Sequence, residues 1–219
     1  MTTIPCTALL FDMDGTLVDS SGPIRRAWTR FIQRWNVDAA ELASRAHGRR
    51  DTDIVALFLP PEHRAEGVAL VRNHELTDTD GIVPVAGAAQ LLDSLAGRPW
   101  AVVTSATRDL ATVRLRAAGL PTPDVLVTAD DVASGKPDPQ GYLTAAQRLA
   151  VPPPECLVVE DAPAGIAAGR AAGARTLAVE TTHRAAALPD ADWVVPDLRS
   201  VRVRPDGLEL QLEESADAR

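Results

Sequence analysis

The chain has 219 residues, 46% hydrophobic and 24% charged, the balance of a soluble globular protein with one large domain or one carrying an inserted module. A net charge of −8 argues against nonspecific binding to nucleic acid or anionic membrane, and an anionic substrate would need local positive charge or a metal. No apolar stretch approaches the ~18 residues of a membrane-crossing helix, and no basic segment followed by an apolar one marks a signal peptide, so a cytoplasmic location is expected.

Residues 1–7 read as a short lead-in. The apolar run Ala8 to Phe11 leads into Asp12-Met13-Asp14-Gly15-Thr16, and a short apolar run bounded by a turn signal predicts a buried parallel strand, roughly Thr7 to Asp12. Side chains alternate along a strand, so Asp12 and Asp14 point the same way if the strand continues, and Gly15 permits the chain to turn off the sheet. Two carboxylates this close repel unless a cation is near. Mg²⁺ fits, because it accepts one or two carboxylates together with substrate phosphate oxygens.

Beyond Ser21 the pattern is helical. Trp28, Phe31 and Trp35 recur at helical spacing and read as packing core. Helices are expected at 38–47, 51–59 and 62–76, with Asp51 as an N-cap and Pro60-Pro61 as a stop. Residues 18–82 thus hold no convincing strand, and Thr79-Asp80-Gly81 and Pro84 mark the return. From residue 87, strands (100–104, 125–127, 156–159, 176–179, 193–195) alternate with helices (88–95, 108–118, 139–149, 162–172). That alternation predicts βαβ units with right-handed crossovers: an α/β fold, a doubly wound parallel sheet interrupted after its first strand by a helical insertion. Leu208 to Leu212 alternates by two and reads as a half-exposed edge strand, followed by a loose tail. Cys6 and Cys156, each beside a predicted strand, read as small buried thiols. His63, His74 and His183 lie in polar surroundings and read as surface residues.

Of the 22 basic residues only Lys136 is a lysine. It stands in Ser134-Gly135-Lys136-Pro137-Asp138, and its retention points to a place where a compact ammonium serves and a planar guanidinium does not. In a doubly wound sheet the strand ends converge on one crevice. Asp12 and Asp14, Thr104-Ser105, Lys136 and Glu160-Asp161 all fall at such ends, a set suited to metal-assisted phosphoryl transfer.

Together these segments resemble the haloacid dehalogenase (HAD) superfamily, and the chain is similar to its phosphatases over nearly its whole length. The finer segments, including Glu160-Asp161-Ala162-Pro163-Ala164-Gly165 and His47-Gly48-Arg49-Arg50, look like yeast-type glycerol-3-phosphatases and 2-deoxyglucose-6-phosphatases. The resemblance implies a Rossmann-like core at 1–17 and 83–219 with a helical cap at 18–82. It implies Asp12 as nucleophile and Asp14 as acid/base, with Thr104 and Ser105 on phosphate and Lys136 orienting the nucleophile. Asp12, Asp14, Glu160 and Asp161 would serve Mg²⁺. Arg50, with Arg49 and His47 beside it, is the candidate to read the substrate from the cap.

The activity so implied is Mg²⁺-dependent hydrolysis of a small sugar or polyol phosphate, by a monomer or weak homodimer. Among the alternatives, dehalogenases typically lack the acid at Asp14's place, and phosphonatases use a cap lysine that is absent here. β-Phosphoglucomutases typically carry valine where Thr16 stands. A catalytically silent binding protein would be expected to lose one of Asp12, Asp14, Lys136 or Asp161.

Overall fold

The computed structural model describes residues 2–46, 49–204 and 209–212. In chain order the strands are β1 (Thr2–Pro5), β2 (Ala8–Phe11), β3 (Val18–Asp19), β4 (Val83–Pro84), β5 (Trp100–Val103), β6 (Val125–Val127), β7 (Cys156–Glu160), β8 (Arg175–Val179), β9 (Trp193–Val195), β10 (Val201–Val203) and β11 (Glu209–Leu212). The helices are α1 (Ser21–Trp35), α2 (Ala39–Ala46), α3 (Asp51–Phe58), α4 (Pro61–Thr77), α5 (Ala88–Ser94), α6 (Arg108–Ala117), α7 (Gln140–Leu149) and α8 (Pro163–Ala171).

Six strands form one sheet in the order β6-β5-β2-β7-β8-β9, every neighbouring pair parallel. The chain leaves β2 to build β5 and β6 on one side, then crosses to build β7, β8 and β9 on the other. Strand order reverses at β2, so Asp12 follows directly at the switch point, where such sheets open a crevice.

Helices cover both faces, and period-two alternation assigns residues to them. Leu9, Phe11, Val102, Leu157, Val159 and Leu177 pack on one side with Leu91 and Leu92 of α5 and Leu115 of α6. Ala8, Leu10, Ala101, Val103 and Val158 pack on the other with Tyr142 of α7 and Ala168 of α8. This double burial is why β2 and β7 read as continuous apolar runs. Cys156 is buried, and Cys6 is partly so.

The helical segment has its own apolar centre, in which Ala27, Trp28 and Phe31 of α1 meet Leu42, Ile54, Val55 and Val71. Trp28 meets Phe31 edge-on with centroids 5.2 Å apart, so the aromatic stripe is packing core. A two-residue ribbon ties the exit and return of this segment, Val18 opposite Pro84 and Asp19 opposite Val83. The sequence pattern missed that ribbon because two residues are too few to show alternation.

Two further expectations change. Part of the lead-in is a strand: Thr2–Pro5 forms β1, which pairs antiparallel with β11. β10 flanks β11 on its other side, so β11 is the middle of a three-stranded sheet and not an edge strand. β-branched residues at 2–4 and 201–203 carried that signal, in runs too short to call without their partners. Leu208 and the tail at 213–219 lie outside the described residues.

The glycines of α8 have separate jobs. A Cβ on Gly165 would overlap the Glu160 carboxylate, and one on Gly169 would press on Val158 and Thr176 at 3.0 Å. Gly173, at φ +82°, has open space around it and terminates the helix. Gly165→Ala is therefore expected to lower stability by about 1–3 kcal/mol through overpacking, measured by urea denaturation. Gly22→Ala, whose Cβ meets the flexible end of Arg26 at 3.3 Å and Asp80 O at an ordinary 4.0 Å, should stay within about 0.5 kcal/mol of the parent. Equal effects would contradict the packing account.

Candidate active site

β2 delivers Asp12, whose backbone N–H still bonds Val159 O at 2.9 Å as the ladder's last rung. The chain then turns sharply: Leu17 N and Val18 N both donate to Met13 O, at 2.8 and 2.9 Å. Gly15 sits in this turn at φ +89°, and a Cβ there would overlap the Asp161 carboxylate. Glycine is thus required twice over, for its backbone angle and for the approach of Asp161, just past β7.

Lys136 reaches into the crevice from the loop before α7 and is 8% exposed. Its ammonium bonds Asp12 Oδ1 in a short contact, Glu160 Oε1 at 2.6 Å and Val103 O at 3.3 Å. Burial works against its charge, yet Asp12 and Glu160 outweigh that and push its pKa upward. The solitary lysine is the counter-charge of the cluster. Three acceptors converge on one nitrogen, which suits a compact ammonium better than a planar fork.

Glu160 is fully bonded. Oε1 also accepts the Tyr142 hydroxyl at 2.7 Å, and Oε2 accepts the N–H groups of Asp161 at 3.1 Å and Ala162 at 3.4 Å. Asp161 accepts from Thr16 Oγ1 at 3.3 Å and from Thr182 Oγ1 in a short contact. Burial, then the Glu160 charge, raises its pKa to about 7. Burial also raises Asp12 well above the carboxylate range; Lys136 opposes that shift, and Glu160 and Asp161 add to it.

Asp12, Glu160 and Asp161 bring carboxylate oxygens within 4.8 Å of one another, all three residues buried. Three desolvated acids share one ammonium. That imbalance and the all-oxygen donor set fit a hard divalent cation. With Glu160's oxygens already taken, Asp12 and Asp161 have the greater capacity to ligate.

The phosphate-site candidates lie alongside. Thr104, buried, follows β5, and its Oγ1 accepts from Ala106 N at 3.1 Å. Thr104, Ser105, Lys136 and Arg50 line one small cavity. Arg50 is less free than the sequence implied: it forks onto Asp53 at 2.8 and 3.0 Å and donates to Ala133 O at 3.1 Å, lying over Gly135. Arg49 is exposed and does not line the cavity. His47 and Gly48 lie outside the described residues.

Asp14 stands apart from the acidic group. Its Oδ1 accepts from Ser20 Oγ at 2.5 Å and its Oδ2 from Arg114 Nη1 at 2.7 Å. The sequence pattern missed Ser20, Arg114, Tyr142 and Thr182. It also placed His183 at the surface, whereas this half-buried ring lies 3.1 Å from the Asp161 carbonyl. Tyr142 was findable, six residues beyond Lys136 on the inner face of an amphipathic helix. The others come together only through tertiary packing.

Residues 6–173 match the haloacid dehalogenase-like hydrolase family, and the chain belongs to it. It is 40% identical to hexitol phosphatase A of Escherichia coli over 209 residues, covering 92% of this chain and 97% of that one. It is 36% identical to 2-deoxyglucose-6-phosphate phosphatase 1 of Saccharomyces cerevisiae, over 89% of each chain. Among solved structures, a hydrolase from Pseudomonas syringae superposes with a TM-score of 0.79 at 29% identity, covering 88% of this chain and 94% of that one. Phosphatases among these relatives favour hydrolysis over the mutase alternative.

Removing the lysine tests the electrostatics. Lys136→Met is expected to cost about 3–5 kcal/mol near neutral pH by leaving buried carboxylates without counter-charge. Asp12's folded-state pKa is raised, so its ionisation penalty is absent below the unfolded pKa and grows as pH rises toward the folded value. The variant's deficit should therefore shrink on acidification, read from urea melts between about pH 8 and 5. A deficit independent of pH would contradict this.

Proposed function

We propose that this chain is a Mg²⁺-dependent phosphatase of small sugar or polyol phosphate monoesters, acting through an aspartyl-phosphate on Asp12. The observation that carries the reading is the Lys136 ammonium bonded to Asp12 at the sheet's switch point, beside the Thr104–Ser105 cavity.

In this reading the phosphate sits against Thr104, Ser105 and Lys136, and Asp12 attacks phosphorus. Lys136 holds Asp12 oriented and offsets phosphate charge. Asp14 gives a proton to the leaving alcohol and then takes one from the water that attacks the aspartyl-phosphate. Asp12, Asp161 and the Asp14 carbonyl would hold the Mg²⁺, with Glu160 chiefly fixing Lys136. When bound, the ion supplies positive charge to the phosphate oxygens. Residues 18–82 act as the cap, covering the alcohol side and excluding water. Arg50 is the cap's contribution to the phosphate end, by its place in the same cavity.

The relatives' names supply the substrate class. The direct test measures phosphate release from a hexitol phosphate. Activity should vanish with excess chelator and return with Mg²⁺. Asp12→Asn should lower turnover by at least about 10³-fold while circular dichroism stays unchanged. Full turnover in chelator, or an Asp12→Asn variant within about tenfold of the parent, would overturn the proposal.

A further inference from the structure

Helix α6 of the core carries Arg114 into the junction with the helical segment, where the side chain is 4% exposed. Its Nη1 donates to Asp14 Oδ2 at 2.7 Å, and its Nη2 lies 3.2 Å from Oε1 of Glu75, a residue of α4 that is 3% exposed. The remaining geometry is unusual for this chain. Arg26 forks onto Asp78 and Arg50 onto Asp53, each guanidinium spending two nitrogens on one carboxylate. Arg114 is instead divided between two acids from two parts of the chain. Its Nε and Nη2, and Glu75 Oε2, are buried without a hydrogen-bond partner.

A buried guanidinium left half-bonded is costly and calls for an explanation. We propose that Arg114 is a positioning residue for Asp14, and that Glu75 makes this positioning depend on the helical segment. The inference rests on the phosphatase reading above, with Asp14 as proton donor. Arg114 and Ser20 together fix both Asp14 oxygens, which limits the carboxyl to one orientation. Glu75 draws on the same guanidinium from the other side, so a shift of α4 re-aims Arg114 and with it Asp14. Arg72, also on α4, bonds Asp109 of α6 at 2.7 Å in an exposed ion pair, which leaves the approach of these two helices adjustable.

The test compares kcat/KM for two esters: a hexitol phosphate, whose alkoxide must be protonated to leave, and p-nitrophenyl phosphate, whose phenolate leaves unaided. Because kcat/KM ends at the first irreversible step, it reports phosphoryl transfer to the enzyme and not the later attack by water. Arg114→Lys keeps the charge but cannot span both acids. It should cut kcat/KM for hexitol phosphate by about 30-fold or more, within the range of general-acid catalysis, with a loss on the aryl ester at least about tenfold smaller. Glu75→Gln should shift the ratio the same way by about fivefold.

Equal losses on both esters, or no change in the ratio, would make Arg114 a structural residue and overturn the inference. If Arg114→Lys does not fold, the Glu75→Gln ratio decides alone, and a flat ratio overturns it. A wild-type enzyme that hydrolyses neither ester would instead refute the phosphatase reading, and this inference with it. An active wild type with flat ratios refutes the positioning role only.

Discussion

The Lys136 ammonium between Asp12 and Glu160 is the contact on which the rest of the site depends. Three carboxylates gathered in a buried crevice would repel one another and lose their hydration. One compact cation makes the cluster tolerable without neutralising it. Glu160 and Tyr142 hold the lysine from behind, and Gly165 leaves Glu160 the room to do so. The residual negative charge lies with Asp12 and Asp161, the side from which a metal and a phosphate would complete the balance. The fold supplies the means of concentrating these groups: β2 and β7 are neighbours, and both end at the switch point.

The helical segment depends on the same place. It leaves just after the turn that contains Asp14 and Gly15 and returns through the ribbon that pairs Val83 and Pro84 with Asp19 and Val18, so both of its connections to the sheet lie beside Asp14. Its own apolar centre gives it coherence independent of the sheet. Among the described residues its side-chain contacts with the core include Ser20 on Asp14, Arg50 on Ala133 O, Arg72 on Asp109, and Glu75 beside Arg114. An interface of this kind holds a preferred arrangement while leaving rearrangement inexpensive.

Much of this was legible in the sequence. The six parallel strands follow from apolar runs, the four inserted helices from helical spacing, and Asp12, Thr104, Glu160 and Asp161 from their places where such runs end, with Lys136 marked as the only lysine. What escaped did so for physical reasons. β1 and β10 are short and acquire their meaning only through β11, far away in the chain. Ser20, Arg114 and Glu75 belong to no motif, and only packing brings them to Asp14. Glu160 reads as one of an acidic metal pair, and in the structure it also accepts from Lys136, Tyr142 and the N–H groups of Asp161 and Ala162. Spacing can bring residues to one strand end without saying which way each carboxylate turns.

The central claim is that Asp12, oriented by Lys136, becomes covalently phosphorylated. The enzyme can be mixed with a hexitol phosphate and Mg²⁺, quenched in acid during turnover, and treated with borohydride, which reduces an aspartyl-phosphate to homoserine. Peptide mass spectrometry then locates the modified residue. The account predicts homoserine at position 12 and unmodified aspartate at positions 14 and 161. Phosphate release with no homoserine at position 12, or with homoserine elsewhere, would contradict it.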